Sequence, residues 1–174
     1  MATTKWVIDP THSEIQFKVK HLVISTVTGS FKSFEGGLET ENEDFDGAAV
    51  HFTADVSTID TNQAQRDEHL KSADFFDVET HPKLSFAGKL AKKGSDYTLD
   101  GDLTLKGVTK PTSFAVEYGG NMTDFYGNNK SGFELTGKIN RKEYGLEWSA
   151  VTEAGGVVVA DEVKLIANIQ IVKQ

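Results

Sequence analysis

Cysteine is absent from the 174 residues, which excludes disulfides and thiolate metal sites and leaves the redox state of the compartment open. Proline occurs 3 times, methionine and tryptophan 2 times each, and nothing in the chain reads as a linker or domain boundary. No stretch approaches the roughly 20 apolar residues of a membrane-spanning helix, so no transmembrane segment is expected. The opening Met1-Ala2-Thr3-Thr4-Lys5 has no apolar signal-peptide core. As written, the chain is expected in the cytoplasm; if a signal peptide was removed before the present Met1, it belongs in the periplasm. Positive charge is also short: 18 Lys and Arg stand against 26 Asp and Glu, giving a net charge of -8 and a pI near 5.1. Without a basic stripe to offset it, that charge repels a polyphosphate backbone and excludes nucleic acid as a partner.

What the chain does have is 11 phenylalanines and 16 glycines, residues suited to half-buried pleated surfaces and to tight turns or strand bends. Ile15, Phe17, Val19 and His21 alternate with Gln16, Lys18 and Lys20, the period-two signature of a strand with one wet face. The same alternation returns in Ala48–Val56, Leu84–Leu90, Tyr97–Leu105, Phe114–Tyr118, Phe133–Ile139 and Val163–Ile171. A further strand over Gly29–Glu39, carrying Phe31 and Leu38, brings the number to about eight. Asp46-Gly47, Lys93-Gly94-Ser95-Asp96, Tyr118-Gly119-Gly120-Asn121 and Gly155-Gly156 read as hairpin connections. Many short strands with such turns predict an all-β sandwich or barrel, and closure, which removes exposed edges, favours the barrel. Residues 1–174 are read as a single domain.

One segment breaks the pattern. Asn62–Ser72 is rich in helix formers, with Asn62 placed to cap and Gln65 three residues on, which predicts a short helix on a long connection. The adjacent Phe75 and Phe76 follow it outside any alternating run, where they would lie over one mouth of the barrel. The inward apolar face itself suits either a filled barrel or one enclosing a ligand. Gly88, Gly101, Gly137, Ala48, Ala54 and Ala167 at inward positions are expected to leave space.

Few residues suggest chemistry. The histidines, His12, His21, His51, His69 and His81, show no metal-ligand spacing; His21, on the apolar face, is either a hydrogen-bonded core histidine or a ligand contact. Asn42–Gly47 resembles the first half of a calcium loop, but the twelfth position is Thr53 rather than a bidentate glutamate, so a solvated hairpin is expected and no metal site. Arg66 and Arg141 are the chain's two arginines, each read either as pairing with nearby acids such as Asp67 and Glu68 or as meeting a lipid headgroup at the barrel mouth. Ser13 beside His12 and the pair Glu143 and Glu147 are the candidates for catalysis, with no oxyanion or metal signal beside them.

Trp6-Val7-Ile8-Asp9-Pro10-Thr11-His12-Ser13 followed by Ile15–Leu22 resembles the start of the YceI-like family. Gly29-Ser30-Phe31, Arg66–Val78, His81–Phe86, Gly101–Pro111 and Ile139–Leu146 are similar to further segments of that family, in order, over nearly the whole chain. The resemblance implies a lipocalin-like barrel of eight extended antiparallel strands with a polyisoprenoid, such as a quinone or prenyl chain, in its central pore. It also implies bacterial proteins that are often periplasmic and often homodimeric, with transport, storage or stress response as proposed roles. On that basis the pore-lining candidates are Phe17, Val19, His21, Phe31, Phe52, Phe75, Phe76, Phe86, Leu103, Phe114, Phe133 and Trp148. Arg66 and Arg141 are the headgroup candidates, and no cofactor beyond the bound lipid is expected. The alternative is an enzyme acting on a small apolar substrate within the same barrel.

Overall fold

Alternating sequences have one face to bury, and closing a sheet on itself buries all such faces in one interior. The computed structural model describes residues 3–21, 24–42, 44–73, 75–146 and 159–174. In chain order its strands are β1 (Thr4–Ile8), β2 (Glu14–His21), β3 (Ser25–Phe31), β4 (Phe34–Thr40), β5 (Ala49–Asp55), β6 (Ile59–Asp60), β7 (Lys83–Lys93), β8 (Asp96–Leu105), β9 (Val108–Thr123), β10 (Asn129–Asn140) and β11 (Val159–Lys173). These segments make a closed antiparallel barrel of eight staves, because β1 with β2, β3 with β4, and β5 with β6 are each one stave broken in the middle. Both halves keep the same neighbours. β4 pairs with β1 and β5, β3 pairs with β2 and β6, and β1 and β2 lie end to end along β11. Each stave thus neighbours the next in sequence, and the last returns to the first.

The breaks have local causes. Between β1 and β2, Asp9 accepts a hydrogen bond from the Thr11 amide and Pro10 starts a 3-10 turn, a position where a missing N–H costs nothing. That interruption hides β1 from a period-two reading, which begins the first strand only at Glu14. Lys32-Ser33 separates β3 from β4, so the strand expected over Gly29–Glu39 is two segments of one stave. The Lys93–Asp96 hairpin turns through Gly94 at φ 67°. Leu105 meets Val108 across Lys106 (φ 49°) and Gly107 (φ 75°), the two left-handed residues of a type I′ turn. Tyr118–Asn121, expected as a turn, is instead inside β9, beside a bulge at Gly132/Phe133. The chain reverses further on, where the Asp124 carboxylate accepts from the Tyr126 and Asn128 amides at 2.9 Å each. Gly155-Gly156 lies outside the described residues.

The inward glycines do something other than leave space. Gly88 and Gly101 face each other across β7 and β8, and a Cβ on Gly88 would stand 2.5 Å from the Asp100 carbonyl oxygen. The backbones therefore approach too closely there for side chains, as a tightly coiled barrel requires. Gly29 and Gly137 are covered by rings, Phe17 over the first and Phe114 over the second, where a ring carbon is 2.7 Å from the place a Cβ would take on Gly137. Ala48 and Ala54 are buried in the wall, and of the six small residues expected to leave space only Ala167 borders the central cavity described below.

The helix α1 (Ala64–Lys71) lies on the connection between β6 and β7. Its cap is Gln63, whose side chain accepts from the Arg66 amide at 2.7 Å; Asn62, expected in that role, is one residue earlier in a left-handed conformation at φ 65°.

Candidate functional site

A meander barrel has two ends, and here they differ. At the end holding the termini, the loop between β4 and β5 sends Phe45 inward. Its ring meets Trp6 and Phe133 edge-on at 5.3 and 5.2 Å, and Tyr118 and Tyr97 at 6.0 and 6.3 Å. Edge-to-face packing at these separations is favourable, and Phe45 is 5% exposed. The surrounding acids Asp44 and Asp46 hold the loop. Asp44 accepts from the Asp46 amide and pairs with Lys92 at 3.2 Å, and Asp46 accepts from the Lys92 amide at 2.9 Å. These bonds, the Asp46 amide first, keep the Asp44 carboxyl below its ordinary pKa. The stretch Asn42–Gly47, expected as a solvated hairpin, is exposed at Asn42, Asp46 and Gly47 and carries the buried Phe45 among them.

At the other end stand α1, the Lys106-Gly107 hairpin and the 3-10 turn Arg141–Tyr144. Between the two ends the barrel encloses a cavity of about 440 Å³, within the roughly 300–1,000 Å³ usual for small-molecule sites. Phe17, Val19, Phe52, Phe86, Leu103, Phe114 and Phe133 line it from the staves, and Phe31, Phe75 and Phe76 line it towards α1. The rings pack on one another: Phe86 on Phe114 at 5.4 Å, Phe17 on Phe31 at 5.8 Å, Phe31 on Phe76 at 6.3 Å. His21 ends β2 with its backbone paired to Ser25 and Val159; its side chain, and Trp148, lie outside the described residues. Aliphatic lining that the aromatic candidates omit comes from Leu84, Leu99, Leu135, Leu165 and Ile169. The signal for them was the same alternation. Gln65, His69 and Leu70 border the cavity from α1, and no strand periodicity could place them.

Arg66 and Arg141 both border this cavity, with different commitments. Arg141 is 3% exposed and donates from Nε to the Ala160 carbonyl at 2.8 Å, from Nη1 to Leu146 at 2.5 Å and from Nη2 to Val159 at 3.2 Å. Asp161 stands 3.9 Å away. Burial lowers the Arg141 pKa below its ordinary value, opposed by Asp161. Its fork ties the residues that flank the β10–β11 connection. Arg66 is not paired with Asp67 or Glu68. It donates from Nε to Thr61 Oγ1 at 2.7 Å and from Nη2 to the Thr61 carbonyl at 2.6 Å. Asp67 in turn accepts from the Thr61 amide and hydroxyl at 2.9 and 2.5 Å, while Glu68 pairs with Lys71 at 3.4 Å. Arg66 thus sits at the cavity with its orientation fixed and, among the described residues, no carboxylate in ion-pair range.

Of the residues considered for catalysis, His12, Ser13 and Glu143 stand apart from the cavity. Ser13 Oγ accepts from the Gln170 amide at 2.9 Å, and His12 meets Asp9 at 2.8 Å; neither borders the cavity. Glu147 lies outside the described residues. Among the described residues no cluster of His, Asp and Glu could hold a metal, and no helix is long and apolar enough to cross a membrane.

The model of the YceI-like domain matches residues 6–171. The chain belongs to the YceI-like family. It is 39% identical to a UPF0312 protein of Staphylococcus epidermidis over 166 residues, covering 95% of each chain. The Campylobacter jejuni YceI protein superposes with a TM-score of 0.76 at 28% identity, over 89% of this chain and 90% of that one. A polyisoprenoid binding domain from Saccharophagus degradans, implicated in plant cell wall breakdown, shares the fold at a TM-score of 0.66 and 14% identity, over 97% and 98% of the two chains. In YceI-like terms, the barrel and its cavity span nearly all of the matched segment.

Proposed function

We propose that this barrel binds the tail of an isoprenoid lipid, a quinone or polyprenyl chain, in its cavity and acts by carrying or storing it rather than by catalysis. The observation that carries this reading is the apolar volume inside the barrel, about 440 Å³ walled mostly by phenylalanine and aliphatic side chains. Each methylene moved from water into such a wall contributes about 0.8 kcal/mol, so a prenyl tail gains several-fold more than one contact before the cost of ordering it. Flat rings and branched aliphatics suit a methyl-branched, partly unsaturated chain. Arg66, held by Thr61 beside the cavity, offers donors to a quinone carbonyl or a phosphate at the head. The solved domain from Saccharophagus degradans named for polyisoprenoid binding supports the same ligand class. A lipid withdrawn from water in this way is ready for transport, for storage or for a stress response that draws on it.

Native mass spectrometry of the purified chain mixed with a short-tailed ubiquinone tests the reading. A complex of one lipid per chain that resists mild activation is the expected result. A chain that binds neither ubiquinone nor a prenyl alcohol contradicts it.

A further inference from the structure

The two ends of the cavity are unequal in a way that bears on ligand length. The lining reaches Leu38, Leu90, Leu99, Val116 and Phe133 and stops there. The next layer, Trp6, Phe45, Tyr97 and Tyr118, takes no part in the lining and is filled by its own rings, with Phe45 at the centre. Phe133 belongs to both layers, facing the cavity on one side and Phe45 on the other. Most of this floor comes from staves, whose positions the sheet fixes. Phe45 comes from a loop, inserted along the barrel axis and held by hydrogen bonds from Thr40 Oγ1 to the Asp44 carbonyl at 3.0 Å and from Asn42 to the Asp46 carbonyl at 2.7 Å. The Phe45 amide also donates to the Tyr97 hydroxyl at 3.4 Å.

The geometry points to Phe45 as the residue that sets the longest isoprenoid tail this barrel can enclose. This rests on the proposed isoprenoid reading of the cavity. The tail enters from the α1 end with its terminal methyls leading, its head stays beside Arg66, and the Phe45 layer stops its advance. Each isoprene unit added above the floor gains contact, while units beyond the cavity's length stay in water and gain none. Shortening Phe45 joins its vacated space to the cavity through Phe133, so the permitted length grows.

Affinity measured across ubiquinones of increasing tail length, for the full chain and for Phe45→Ala, tests this. For the unaltered chain, affinity is expected to rise by at least about tenfold per added unit, after the cost of ordering it, and then level off. In F45A the levelling is expected at least one unit later. Phe45→Leu, which keeps most of the floor, is expected to shift it by less. If the unaltered chain binds and levels off but F45A levels at the same unit, the assignment of Phe45 is overturned while the isoprenoid reading stands. If no ubiquinone binds the unaltered chain, the isoprenoid reading itself falls. Should F45A not fold, a quinone bearing a photoreactive group at its tail end decides the matter on the unaltered chain. Crosslinks to Phe133 or Phe45 support the floor, and crosslinks to Phe75 or Phe76 overturn it.

Discussion

Arg66 and Arg141 show how two identical side chains divide at the level of single hydrogen bonds. Arg141 donates to three main-chain carbonyls in a site 3% exposed, and truncating it strands those acceptors. Charged hydrogen bonds of this kind contribute about 1.5–3 kcal/mol each, with strong overlap among them. Arg141→Leu is therefore expected to cost about 3 kcal/mol, read as a lower urea midpoint, with quinone binding by the surviving folded fraction unchanged. Arg66→Met removes two bonds at a partly exposed site and is expected to cost about 1 kcal/mol. It should weaken a headed lipid severalfold while leaving a headless prenyl hydrocarbon unaffected. Equal loss for both ligands would assign Arg66 to the wall alone.

Asp9 makes a pH-dependent contribution. It accepts from the Thr11 hydroxyl at 2.6 Å, the Thr11 amide at 3.0 Å, His12 at 2.8 Å and Lys130 at 3.4 Å. These bonds, the Thr11 hydroxyl foremost, hold its carboxyl far below the ordinary range, with burial opposing. A carboxyl depressed in the folded state stabilises fully above its unfolded value, near about 3.9, and that contribution fades as pH falls towards the folded value. Asp9→Asn is expected to lower stability at neutral pH and to flatten its decline below about pH 4. An unchanged slope in acid denaturation would show that the Asp9 contacts with Thr11, His12 and Lys130 of β10 do not stabilise the turn between β1 and β2.

At the scale of elements, close approach between strands is what the glycines serve. Gly88→Ala drives a Cβ to 2.5 Å from the Asp100 carbonyl oxygen, and the obstacle is backbone, which cannot rotate aside. A loss of about 1–3 kcal/mol is expected, seen as a lower Tm. The alternation of β2, β7, β8 and β11 was legible because apolar and polar residues take turns along each of them without a proline or a capped turn to interrupt the period. β1 was not, since Asp9-Pro10 interrupts its stave. The turn in Tyr118–Asn121 was misplaced because glycine at a bulge and glycine at a turn look alike in sequence. The phenylalanines of the cavity wall were legible from period two, and Phe75 and Phe76 from their place after α1. Phe45 was hidden among acids whose charges satisfy loop amides, and the role of the inward glycines was hidden because sequence shows which side chain is missing but not what fills its place.

As a whole molecule the barrel is stoppered by aromatic rings at one end and bordered by α1 and Arg66 at the other, with a largely apolar interior between them. Leu135 lines that interior and is only partly buried, so Leu135→Trp can fill space without breaking the sheet. Quinone affinity is expected to fall tenfold or more, with about 1 kcal/mol or less lost in stability. The most direct measurement is a crystal structure of the chain grown with a short-tailed ubiquinone. The account predicts continuous density for the isoprenoid tail inside the barrel, running from beside Arg66 to the face of Phe133. Quinone density confined to the outer surface, with the barrel interior free of it, would contradict the central claim.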